Sequence, residues 1–158
     1  MQSPKYSTFQ NHLLNKLNSY GDFNYSFSKI IQNLSYNPNA LTILLENIEY
    51  VNWNLLSLNE NAIDLLEQNQ EKINWANLCY NTSSKAIKLL EKNKDKINWK
   101  ILSYNSNSLA IELLENNQDK INWNNFCSNK NPKILKLLES NQDKINWHIL
   151  SLNPYGLD

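Results

Sequence analysis

Groups that could do covalent chemistry are few in this 158-residue chain, and their spacing does not assemble a site. Cys79 and Cys127 come first, because a thiolate can attack, ligate zinc or form a disulfide. They occupy matching points of a repeated phrase, two copies apart; elsewhere that point holds Ser35, Ser57, Ser103 and Ser151. Helices pack about 8–10 Å apart, so two repeats should separate the thiols by roughly 20 Å, beyond the roughly 7 Å Cα separation a disulfide tolerates. Both are expected to be free, part-buried small residues in a reducing compartment. Neither has a His or second Cys at ligand spacing, so no metal and no cofactor is expected. His12 and His148 stand singly, with no Ser, Cys or carboxylate partner evident. Glu67, Glu91, Glu115 and Glu139 form one row and Lys72, Lys96, Lys120 and Lys144 another. Acid–base catalysis needs a carboxylate in a dry pocket, whereas rows of alternating sign read as a solvated, salt-screened face. Gly21 and Gly156 are the two glycines, too few for a phosphate-cradling loop. The chain is therefore expected not to be an enzyme.

What must position these residues is a repeat. The phrase reads Val51-Asn52-Trp53, Ile73-Asn74-Trp75, Ile97-Asn98-Trp99, Ile121-Asn122-Trp123 and Ile145-Asn146-Trp147, at spacings of 22, 24, 24 and 24 residues. A fixed period in this range marks stacked supersecondary units. In the unit from Ile97 to Lys120, Asn98 is placed to cap a short first helix from Trp99 to about Tyr104. Asn105 should end it by taking the left-handed conformation. Asn107 then caps a second helix from Ser108 to Glu115 or Asn116, with Ala110, Ile111, Leu113 and Leu114 on its apolar face. Asn117 follows as C′, and Gln118-Asp119-Lys120 is an exposed link. Asn37-Pro38 and Asn131-Pro132 support the second start, since Pro suits the first helical position. The second-helix cap row is Asn37, Asn59, Ser83, Asn107 and Asn131.

One unit cannot offset the entropy of ordering itself, and helices this short are marginal in water. Units must bury one another. The expected fold is all-α: a right-handed α-solenoid of short helix pairs, 22–24 residues per repeat. Trp53, Trp75, Trp99, Trp123 and Trp147 should form a spine through its core, beside Leu56, Leu78, Leu102, Phe126 and Leu150. Residues 1–29 are assigned to an N-terminal helical cap, with His12, Leu13, Leu14 and Leu17 on a helix and Tyr25 and Phe27 covering the open end. Residues 30–152 hold five repeats, the first degenerate, with Ile30-Ile31 in place of Asn-Trp. Residues 153–158 begin a partial repeat.

From about Ile30 onward the chain resembles the Asn-rich tandem-repeat proteins of giant amoeba-infecting DNA viruses. The likeness rests on Ala110-Ile111-Glu112-Leu113-Leu114-Glu115 followed by Asp119-Lys120-Ile121-Asn122-Trp123. The period and the Asn-Pro helix start also resemble leucine-rich-repeat-variant solenoids. The viral resemblance implies an intracellular protein of host cytoplasm or virion acting on a host or viral partner; neither resemblance brings a catalytic activity.

The surface expectation is a stripe on the first helices. The position after each Trp varies: Asn54, Ala76, Lys100, Asn124 and His148. Four residues on come Leu58, Tyr80, Tyr104, Ser128 and Leu152, with Tyr36 in the degenerate unit. The two positions share a face at i, i+4. Tyr combines apolar area with a hydrogen-bonding tip, which suits interfaces; partial burial of the tyrosines between units is the competing reading. The expected partner is a protein or peptide gripped by Tyr36, Asn54, Leu58, Ala76, Tyr80, Lys100, Tyr104, Asn124, Ser128 and His148. The alternatives are self-association end to end through an open C-terminal end, and single-stranded nucleic-acid binding. Net charge is zero, from 15 basic and 15 acidic residues, so the electrostatic funnel of nucleic-acid binders is missing. No apolar run is long enough to cross a membrane, and no signal-like segment opens the chain.

Overall fold

The computed structural model describes residues 23–155. They are all-helical, with no strand among the described residues. In chain order the α-helices are α1 (Phe23–Leu34), α2 (Leu41–Glu46), α3 (Trp53–Leu56), α4 (Ile63–Glu67), α5 (Trp75–Leu78), α6 (Ser84–Lys92), α7 (Trp99–Leu102), α8 (Ser108–Glu115), α9 (Trp123–Cys127), α10 (Ile134–Glu139) and α11 (Trp147–Ser151). One-turn 3₁₀ helices join each second helix to the next first one, as at Gln70–Lys72 and Lys94–Lys96. Consecutive second helices touch, α4 against α6 and α6 against α8, and the first helices α9 and α11 touch likewise.

Asparagine sets the helix starts. Asn98 has extended φ/ψ of −83°/92°, and its Oδ1 accepts the Ile101 N–H at 3.2 Å. Asn52, Asn74, Asn122 and Asn146 do the same for Leu55, Asn77, Asn125 and Ile149. This satisfies one orphan donor of each first turn. The helix α7 is shorter than expected, ending at Leu102, and the Ser103 hydroxyl joins its own N–H in donating to the Trp99 carbonyl, at 2.7 Å.

Second-helix ends use a different device from the one expected. Asn117 has φ −140°, so it is not left-handed. Its amide Nδ2 instead reaches back to the Leu113 carbonyl at 2.7 Å. Asn47, Asn69, Asn93 and Asn141 repeat that bond. Side-chain capping makes a left-handed residue unnecessary, and the segment expected as a link becomes the 3₁₀ turn Gln118–Lys120.

The core corrects the tryptophan expectation. Its fully buried rows are Leu56, Leu78, Leu102 and Phe126 on the first helices and Leu44, Leu66, Leu90 and Leu114 on the second. Trp53, Trp75, Trp99 and Trp123 are only partly buried, and Trp147 is 61 % exposed. Each Trp occupies the first helical position, at the rim of the core, while the residue three further on points inward. The indoles roof that inner row: Trp123 meets Phe126 edge-on at 5.8 Å, and Lys72 Nζ lies 4.6 Å from the Trp53 ring centre.

The degenerate first unit keeps register. Buried Ile31 takes the place of Trp, and Ser35 Oγ donates to its carbonyl at 3.0 Å. Phe27 packs edge-on to Tyr50 with ring centres 5.7 Å apart. The expected helix through His12, Leu13, Leu14 and Leu17 lies outside the described residues.

Candidate functional site

The stripe expected on the first helices divides into two kinds of residue. Tyr36, Tyr80 and Tyr104 are 57 %, 52 % and 42 % exposed, and no hydrogen bond among the described residues holds their hydroxyls. Leu58 is half-buried between Tyr36 and Tyr80. These three side chains, with Pro38, Glu60 and Thr82, line an open groove of about 530 Å³ that spans three successive units. Among its lining residues the Thr82 hydroxyl donates to the Glu60 carboxylate across a unit boundary. Lys100 and His148 are exposed on the same row.

The other members are committed to structure. Asn54 Oδ1 accepts from Asn74 Nδ2 at 2.9 Å, and its carbonyl accepts from Asn77 Nδ2 at 2.8 Å. Asn124 Oδ1 accepts from Asn146 Nδ2 at 3.0 Å. The Ser128 hydroxyl donates to the Asn124 carbonyl at 3.1 Å. Ala76 is half-buried. The groove therefore gathers Tyr36, Leu58 and Tyr80, with Tyr104 one unit along, rather than the whole stripe.

A row the sequence reading passed over holds the units together. Asn105 was expected to end a helix; instead it is buried, and its Nδ2 donates to the Cys79 and Asn81 carbonyls of the preceding unit at 2.8 and 2.9 Å. Its Oδ1 accepts the Asn107 N–H at 2.9 Å. Asn59, Asn129 and Asn153 make the same two-carbonyl clamp, and Asn81 makes one arm of it. The signal was present: an Asn stands two residues after the Ser or Cys in every unit, whether the unit is 22 or 24 residues long. Ser83 and Asn107 do cap their second helices, just beyond the clamp, while Asn131 caps the Pro132-Lys133 turn that leads into α10.

The thiols are fully buried rather than partly so, and both are free. Burial pushes the Cys79 thiol up to about 11, partly countered by the Asn98 backbone N–H donating to it. Cys127 is raised for the same reason, with the Asn146 N–H opposing. They stand in for the Ser hydroxyls that accept this N–H elsewhere, as Ser103 Oγ does from Asn122 at 3.0 Å. A buried neutral thiol is inert as a nucleophile. Among the described residues no three His, Cys, Asp or Glu gather as a metal site, and no helix is long and apolar enough to cross a membrane. Ion pairs cross between units at Lys85–Asp64 (2.7 Å) and Lys92–Glu67 (2.8 Å), whereas Lys96, Lys120 and Lys144 of the Lys row pair with the adjacent Asp95, Asp119 and Asp143 of their own turn; all are well exposed and so of small energetic weight.

Compared with known protein families, curated proteins and solved structures, the chain matches none of them.

Proposed function

We infer that this protein is a non-enzymatic interaction scaffold: a right-handed α-solenoid that binds a protein or peptide along its first-helix face. The observation that carries the reading is the half-exposure of Tyr36 and Tyr80 around this groove, with Tyr104 equally open one unit along, while Asn54, Asn124 and Ser128 of the same stripe are bonded internally. Exposed aromatic rings in register across units offer apolar area at low entropic cost and a hydroxyl for polar contacts. The Glu60 and Thr82 pair between them supplies orientation. The repeat's likeness to Asn-rich proteins of giant viruses supports an intracellular viral protein whose partner comes from the host or the virus itself.

The test replaces Tyr80 and Tyr104 by Ala together. Capture of partners from a candidate host lysate, identified by mass spectrometry, should fall at least tenfold, while the thermal midpoint stays within a few degrees. Melting of the double variant would assign the tyrosines to the core and remove the groove from consideration.

A further inference from the structure

The groove lined by Tyr36, Leu58 and Tyr80 has a period, and the period selects its ligand. First helices of consecutive units touch, as α9 and α11 do, so equivalent positions step by one helix-packing distance, roughly 8–10 Å. A chain lying along the row must return a side chain at that interval. A β-strand returns one to the same face about every 7 Å and pairs with a sheet edge, which the described residues, all helical, do not offer. An α-helix has a pitch of about 5.4 Å, and its carbonyls are already bonded within it. A polyproline II segment turns once in three residues, a rise of about 9 Å, and leaves every carbonyl free.

The lining suits the last of these. Tyr36 and Tyr80 offer flat apolar rings on which proline packs, and phenolic hydroxyls that donate to free peptide carbonyls. Leu58 and Pro38 complete the apolar surface, and Tyr104 carries the row one unit further. Glu60 is the one charged residue of the lining. Asp64 and Glu67 on α4 each hold a lysine of the next unit, Lys85 and Lys92. Glu60 makes no such ion pair among the described residues. Its carboxylate accepts from the neutral Thr82 hydroxyl, which fixes it at the groove and leaves its charge uncompensated.

We propose, resting on the scaffold reading above, that the groove takes a proline-rich peptide in the polyproline II conformation. Prolines three residues apart meet Tyr36, Leu58 and Tyr80 in turn, and an arginine or lysine of the peptide sits against Glu60. Such a peptide is extended before it binds, so docking orders little new chain. The carboxylate sets which proline-rich segments are accepted: those with a neighbouring cation bind, and those with a neighbouring acid are repelled.

The probe is a fluorescently labelled synthetic peptide with proline at every third position and arginine at one end, titrated with the full chain and followed by anisotropy. Binding should saturate. Replacing the peptide's prolines by alanine should weaken it at least tenfold, and so should Tyr80→Ala in a chain of unchanged circular dichroism. Glu60→Lys should weaken binding of the arginine peptide and strengthen that of a peptide carrying glutamate in its place. That charge exchange reads the groove without touching the aromatic rings. A wild-type chain that leaves the peptide free at millimolar concentration overturns the proposal, as does binding indifferent to the prolines or to Glu60→Lys. Capture of a partner that depends on Tyr80 and Tyr104 but maps to a segment without proline also overturns it, while leaving the scaffold reading intact.

Discussion

Asn105 is the side chain on which one joint turns, and its chemistry makes a sharp prediction. Both of its amide hydrogens rest on buried carbonyls of the preceding unit. Asn105→Asp keeps shape and volume yet replaces two donors by an acceptor facing two acceptors. Each stranded buried carbonyl costs about 1–3 kcal/mol, so the variant should lose at least that in denaturant unfolding, and more than the same change at exposed Asn116. Equal losses at the two positions would refute the clamp. Cys79 supplies a pH-dependent counterpart. Its thiol is raised from 9.0 to about 11 in the folded chain. Unfolding restores the ordinary value, so between those limits the unfolded chain gives up a proton that the folded chain keeps. Its contribution is full below about pH 8 and falls through that window, by about 2–3 kcal/mol at 1.4 kcal/mol per unit. Cys79→Ser, the residue other units carry, should flatten the wild-type slope above pH 9 in parallel urea titrations; identical slopes would show the burial to be energetically silent. The capping Asn residues were legible because capping is local, read from one turn of chain. The clamp was not, because its acceptors lie 24–26 residues away.

At the scale of the helix, chain pattern located the elements and misjudged which face was innermost. Trp99 and Leu102 are both large and apolar, and periodicity places them together. Only the cap separates them: Asn98 pins Trp99 to the first helical position, at the rim, and leaves Leu102 fully buried. Two second helices start where their caps were expected, α6 at Ser84 and α8 at Ser108, while α2, α4 and α10 begin later, at Leu41, Ile63 and Ile134, because Asn37, Asn59 and Asn131 cap the turn that precedes the helix instead. Their closure was misread, since Asn117 holds φ −140° and closes the helix with its side chain. Sequence marks an Asn at such a boundary without saying whether backbone or amide does the work. The surface stripe shared this ambiguity. Tyr80 and Tyr104 are open, while Asn54 and Asn124 on the same stripe are bonded into neighbouring units.

For the molecule as a whole, the joints at Asn59, Asn105, Asn129 and Asn153 carry the same two-carbonyl clamp and the joint at Asn81 carries one arm of it, so the units are close to interchangeable in bonding terms. Removing residues 98–121 would join Ile97 to Asn122 and set Asn129 against the Cys79 and Asn81 carbonyls in place of its present partners. The shortened protein should fold with one cooperative thermal transition and a lower midpoint, followed by circular dichroism. A molten or insoluble product would show that the units are individually tailored. A 22-residue unit already displays this tolerance: Asn59 clamps Ser35 and Asn37 with the bonds that Asn105 and Asn129 make in 24-residue surroundings. Because the clamp reads only main-chain oxygen, a gene encoding this chain can gain or lose whole units by unequal recombination, and natural selection can tune its reach without inventing a new contact.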